Sequence, residues 1–104
     1  MIRHCVFINF EDDVTEVHKG ELFSNIEALR AHLPGILAVH IGTNVSPEGM
    51  DKGFSDGFMV DFLDAAARDT YLADADHAKA GAGLVAAAKQ GVAGIFVYDI
   101  ELPD

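Results

Sequence analysis

Residues 54–77 read FSDGFMVDFLDAAARDTYLADADH, from Phe54 to His77, and this stretch decides the fold. Its first part alternates. Phe54, Asp56, Phe58, Val60 and Phe62 share one face of a strand predicted over Phe54–Leu63, because successive side chains of an extended chain point to opposite sides. Asp56 is the odd residue in that aromatic row, and a covered carboxylate there needs a partner. Asp64 is then placed to cap a short helix through about Leu72. The run Ala73-Asp74-Ala75-Asp76 breaks it, and Asp76 is expected to cap a further helix that starts with His77. A strand therefore runs into a helix that carries Tyr71 and His77 beside the strand's inner face. Six positions separate the two residues, which is not a multiple of the helical repeat. They meet only if the break folds one helix back on the other.

Upstream, Ser46–Gly53 is a loop marked by Ser46-Pro47-Glu48-Gly49. Ile36–Val45 before it reads as a strand that is apolar on both faces apart from His40. A helix is expected from a Thr15 cap to about Leu33, with Glu16 in its first turn. Leu22, Ile26, Leu29 and Leu33 fall at helical spacing, and Phe23 widens the stripe. Leu33-Pro34-Gly35 ends it, since proline disfavours a helical residue before itself. The first strand spans Ile2–Phe10. Ile2, His4, Val6, Ile8 and Phe10 share one face; Arg3, Cys5, Phe7 and Asn9 share the other. His4 is either a core histidine bonded to backbone or a pocket residue, since a buried imidazole needs a partner in both cases.

Downstream of His77 the helix is built from small residues, with Leu84 and Val85 among them. Gly94–Leu102 is the last strand. Ile95, Val97 and Asp99 take one face, and Phe96, Tyr98, Ile100 and Leu102 the other. The order strand, helix, strand, strand, helix, strand is the α+β split β-α-β arrangement, ferredoxin-like, with a four-stranded antiparallel sheet. Helices cover one face of such a sheet. The other face holds Phe7, Phe96, Tyr98 and Ile100, and an apolar face of that size calls for a partner. Two sheets facing each other would close a dimeric α/β barrel, so a homodimer is expected.

The 104 residues fit one domain, 1–104. Seven Lys and Arg stand against 17 Asp and Glu, a formal charge of −10. That balance argues against nucleic acid, whose phosphates require clustered cations, and against an anionic membrane surface. Cys5 is the single cysteine, so neither an internal disulfide nor a cysteine-pair zinc site is possible. It reads as a small buried hydrophobe. The N-terminal apolar run is too short for a leader or a membrane span, and the cytoplasm is the expected location. No glycine-rich phosphate loop follows a strand. Asp74, Asp76 and His77 read as a solvated acidic turn, so no metal site is expected.

Several stretches together resemble one family. They are the opening IRHCVFINF, the helix end LPGI, the GTNVS after the second strand, GFSDGFMVDF, and YLADADH. In this order they resemble the stress-responsive A/B barrel (Dabb) domain, over nearly the whole chain. The resemblance implies a small dimeric α+β barrel, working without a cofactor where it works as an enzyme. One plant member is a polyketide cyclase that closes its substrate by an aldol reaction. Its catalytic tyrosine and histidine fall on Tyr71 and His77, and a pocket histidine falls on His4. A further pocket histidine falls on Asp56, where this chain departs. It also has Asp74-Ala75 where His-Pro is common, and Arg68 where an apolar residue is usual. Antibiotic-biosynthesis-type monooxygenases are a looser resemblance, sharing the cofactor-free dimeric barrel.

The residue chemistry is consistent with such a site. Histidine, with an ordinary pKa of about 6.5, can take and return a proton at neutral pH. A phenol hydroxyl can donate to a developing enolate oxygen. His77 as base and Tyr71 as oxyanion donor would suit proton abstraction next to a carbonyl. The expected pocket is lined by Val6, Ile8, Leu22, Ile26, Phe58 and Val97, with His4 at its floor or side and Asp56 as a further substrate contact. Two function classes follow. One is a cofactor-free lyase, cyclase or monooxygenase acting on a small apolar carbonyl compound. The other is a non-catalytic stress-related or ligand-binding dimer, in which Tyr71 only packs and His77 only fixes a helix start.

Overall fold

Strand β1 (Ile2–Ile8), helix α1 (Glu16–Ala28), strands β2 (Ile36–Thr43) and β3 (Asp56–Phe62), helices α2 (Ala65–Ala73) and α3 (Ala75–Ala87), and strand β4 (Ile95–Glu101) follow in that order. This computed structural model describes residues 1–103; Asp104, the last residue of the expected domain span, lies outside the described residues. The strands form one antiparallel sheet in the order β2-β3-β1-β4. The α+β, ferredoxin-like arrangement is the one predicted. No helix among the described residues is long and apolar enough to cross a membrane.

The alternation assigned to β1 and β3 holds. Val6, Ile8, Phe58, Val60 and Phe62 turn to the helices and are buried with Leu22, Phe23, Ile26 and Leu29 of the first helical segment. Thr15 caps α1 by accepting from the His18 backbone N–H at 3.1 Å. The helix tightens into a 3-10 turn over Leu29–Ala31 before Pro34, so it is shorter than the predicted span. Several other ends differ as well. The first strand stops at Ile8, because the backbone of Asn9 turns away to bond Gly94 and Lys89. Phe10 keeps only an isolated bridge to Ala88. The third helix starts at Ala75, and its cap is Asp74, whose carboxylate accepts from the His77 N–H at 3.0 Å. Asp76 lies in its first turn instead.

Two close approaches set the layers. A methyl group on Gly35 would collide with Ala67 of α2, so the turn after α1 lies directly against that helix. A methyl group on Gly57 would collide with the Phe7 ring, which lies across this position on the open face of the sheet. That open face is apolar and uncovered at β4: Phe96 is 51%, Tyr98 45% and Ile100 41% exposed. Phe96 packs edge-on to Tyr98. Cys5, on the same face, is buried within the single chain. Strand β2 also departs from expectation. Its residues after Ile36 are exposed or half-buried, as befits an edge strand.

Asp56 has the partners that its position demands. Its carboxylate meets Lys19 Nζ at 3.1 Å and accepts from Thr43 Oγ1 at 2.9 Å. The Lys19 ammonium also sits 5.3 Å from the centre of the Phe10 ring. This clamp ties α1 to β2 and β3. Asp56→Ala is expected to cost about 1–2 kcal/mol, read from urea denaturation, because it leaves the Lys19 ammonium with only the exposed Glu16 carboxylate at 3.2 Å and removes the acceptor of the Thr43 hydroxyl. A loss under about 0.5 kcal/mol, the range of an ordinary surface pair, would contradict a clamp.

Candidate active site

Tyr71 sits near the end of α2 and is 1% exposed. The chain bends at Asp74, which is extended rather than helical and both ends α2 and caps α3. That single bend brings His77 back onto Tyr71. Their ring centres are 4.2 Å apart, tilted by 44°. Tyr71 also packs edge-on to Phe62 at 4.9 Å and to His4 at 5.7 Å. His4 and Phe62 are themselves in edge contact at 6.2 Å. Two imidazoles, a phenol and a phenyl ring thus form one cluster between the sheet and the two short helices.

Two atoms in that cluster lack partners. Tyr71 Oη and His77 Nδ1 are buried and find no hydrogen-bond partner among the described residues. Although the rings touch, neither atom satisfies the other. A buried polar atom without a partner costs roughly 1–3 kcal/mol, and native proteins carry few of them. Burial pushes the Tyr71 hydroxyl well above its ordinary pKa, so it stays a protonated donor. Burial also pushes the His77 imidazole below its ordinary value, with the nearby His4 adding to the effect; Asp74 and the Leu72 backbone oppose it more weakly. Burial and His4 both favour the neutral imidazole of His77.

His4 has a partner that sequence reasoning missed. Its Nδ1 lies 2.7 Å from Asp99 Oδ1 across the β1–β4 register. Asp99 Oδ2 accepts from Arg68 Nη1 at 2.8 Å. Burial raises the Asp99 carboxyl, but the hydrogen bonds from Arg68 and His4 outweigh it and hold the group below its ordinary value. Alternation alone placed Asp99 and His4 on the helix-facing sides of their strands. Their pairing depends on register, which a single sequence does not carry.

The other predicted lining residues separate. Val6, Ile8, Leu22, Ile26 and Phe58 belong to the packed core. Val97 pairs with Val6 but lies on the edge strand and is 52% exposed. Asp56 pairs with Ile8, whereas Phe62 pairs with Ile2 at the opposite end of β3. At a rise of about 3.4 Å per residue, Asp56 is roughly 20 Å along the strand from Phe62, and the fold does not bring it to the ring cluster. A separate groove of about 600 Å³ opens on the other face of the sheet, lined by Phe7, His40, Phe54, Met59 and Phe96 among others. Candidate cation ligands also group differently from expectation. His32 joins Asp74 and Asp76 within 4.8 Å, while the His77 ring turns to Tyr71. His32 Nε2 pairs with Asp74 at 3.0 Å and Asp76 at 3.7 Å, which accounts for the grouping without an ion.

The sequence profile of the stress responsive A/B barrel domain, Dabb, matches residues 2–102. The chain belongs to the Dabb family. Among solved structures it is similar to a dimeric ferredoxin-like protein of unknown function from Jannaschia sp. CCS1, at 31% identity and a TM-score of 0.89, with 97% of this Dabb chain and 98% of the other aligned. A hydroxynitrile lyase from Passiflora edulis is similar at 16% identity and a TM-score of 0.85, covering 99% and 94%. An antibiotic biosynthesis monooxygenase follows at 14% identity and a TM-score of 0.73, covering all of both chains. These last two likenesses extend to the fold alone. Among the curated proteins nothing matches this Dabb chain.

Proposed function

We propose that this protein catalyses cofactor-free proton transfer at a small, largely apolar carbonyl compound, with His77 as base, Tyr71 as oxyanion donor and His4 as a further acid–base group. One observation carries the reading: Tyr71 Oη and His77 Nδ1 are both buried and unpartnered on touching rings. A substrate carbonyl and its neighbouring C–H would supply the missing partners. His77 Nδ1 takes the proton, the C–H electron pair moves into the carbonyl, and Tyr71 donates to the oxygen that becomes negative. Returning the proton restores the compound. If the proton comes from a hydroxyl instead, collapse of the alkoxide breaks a C–C bond, and the departing carbanion takes the proton back from His77. That is lyase chemistry, and the fold is shared with a hydroxynitrile lyase.

The test needs no knowledge of the natural substrate. Small aromatic and aliphatic ketones are incubated with the protein in deuterium oxide, and exchange at the carbon next to the carbonyl is followed by NMR. Catalysed exchange is the expected result; exchange at the buffer rate across the panel would end the proposal. Running it with and without oxygen separates simple proton transfer from a cofactor-free monooxygenase reading, in which the ketone is consumed only with oxygen present. The groove on the open sheet face favours a second reading, a non-catalytic ligand-binding dimer. In that case a ketone would bind without exchanging.

A homodimer is part of the same proposal. Phe96, Tyr98 and Ile100 form an uncovered apolar row, and similar structures are described as dimeric. Sedimentation at low micromolar concentration is expected to give twice the chain mass, and Ile100→Asp to give monomer. A stable wild-type monomer at that concentration would contradict the buried-face argument.

A further inference from the structure

Residues of two elements share one carboxylate of a third. Arg68 of α2 donates to Asp99 Oδ2 at 2.8 Å, and Asp99 Oδ1 of β4 lies 2.7 Å from His4 Nδ1 of β1. Arg68 Nε is held by Asp69 at 3.0 Å. The Arg68 and Asp99 side chains are each 25% exposed, whereas that of His4 is only 6% exposed. An exposed ion pair alone would contribute little. This one ends on a buried ring that touches Tyr71.

An ionised carboxylate can only accept hydrogen bonds. With one Asp99 oxygen taken by Arg68, the other receives a hydrogen from His4, and that hydrogen has to sit on Nδ1. The neutral ring then keeps its lone pair on Nε2, the nitrogen away from Asp99. We infer that Arg68 and Asp99 are positioning residues that fix His4 as its Nδ1–H tautomer, so that His4 acts through Nε2. The catalytic part of this inference rests on the function proposed above. The tautomer part does not.

Both parts can be tested on the full chain. Side-chain nitrogen NMR, followed upward in pH until the His4 signals stop changing, assigns the hydrogen on the neutral ring. Wild-type His4 is expected to carry it on Nδ1. Asp99→Leu is expected to move it to Nε2 or to a mixture. Arg68→Leu, a change one step removed from His4, should shift the population part of the way, and Arg68→Lys should restore it. Hydrogen on Nε2 in the wild type, or a wild-type His4 pattern in Asp99→Leu, overturns the inference.

The second readout is the pH profile of ketone exchange. The groups facing His4 are Asp99 of β4, Tyr71 of α2 and His77 of α3, with Arg68 behind Asp99. Asp99→Leu should lower the rate at least about tenfold, part of the range of an acid–base group, and displace the profile. Arg68→Lys should keep both close to wild type. Wild-type exchange with an unchanged profile in Asp99→Leu removes the positioning role. Absence of wild-type exchange ends the proposed function instead and leaves the tautomer result to be judged separately.

Discussion

His77→Ala is expected to lower ketone exchange by about 10²–10⁴-fold, the contribution of a positioned general base. The same experiment yields a sign for pH. Burial holds the His77 pKa below the ordinary value, which favours the neutral imidazole that a proton acceptor requires. Activity should therefore persist as pH falls through about 6.5 and disappear only lower, where His77 finally takes a proton. Stability follows the same direction. A histidine whose folded pKa is depressed contributes stability that is present above its unfolded pKa and lost as pH falls toward the folded one.

Tyr71→Phe completes the argument. It removes a hydroxyl that has no partner, so it is expected to leave stability unchanged or raise it by up to about 1–3 kcal/mol. It should lower activity at the same time. Loss of both activity and stability would mean that the hydroxyl is bonded in the folded protein, and the site would then be a packed core. Full activity in His77→Ala would leave a binding module, or an enzyme working from another part of the molecule.

Phe62→Ala carries the largest expected stability loss, about 3–5 kcal/mol for an aromatic-to-alanine change in a core. Phe62 is completely buried and supports both Tyr71 and His4 from the sheet side. Guanidinium or urea denaturation measures the loss. Phe62→Leu should recover most of it, yet leave the two rings less fixed, so exchange activity should fall more than stability does. A loss below about 1.5 kcal/mol in Phe62→Ala would imply that the helices collapse into the space, and that the ring cluster is not rigidly supported.

The meeting of Tyr71 and His77 was legible in advance because the sequence marks the bend between them. The residues Ala73-Asp74-Ala75-Asp76 supply two capping carboxylates, and one had to end a helix and start another. Asp76 was the expected cap, two positions too late; both aspartates suit a cap, and the backbone geometry chose Asp74. Strand faces were legible from alternation. Partners were not, since alternation assigns a side and register assigns a neighbour. Asp99 and His4 meet for that reason alone. Asp56 shows the converse. Its need for a partner was evident, but the Lys19 that answers it arrives from a helix 37 positions earlier. The strand carrying Val97 lies at the sheet edge, so an apolar residue on the correct face is still half exposed.

The most direct measurement is a crystal structure of the protein with a small aromatic β-diketone bound. The diketone is expected between sheet and helices, with one carbonyl oxygen within hydrogen-bond reach of Tyr71 Oη and the central carbon facing His77 Nδ1. A diketone seated only in the groove beside Phe7 and Phe96, with Tyr71 and His77 still in contact and unpartnered, would contradict the proposed function.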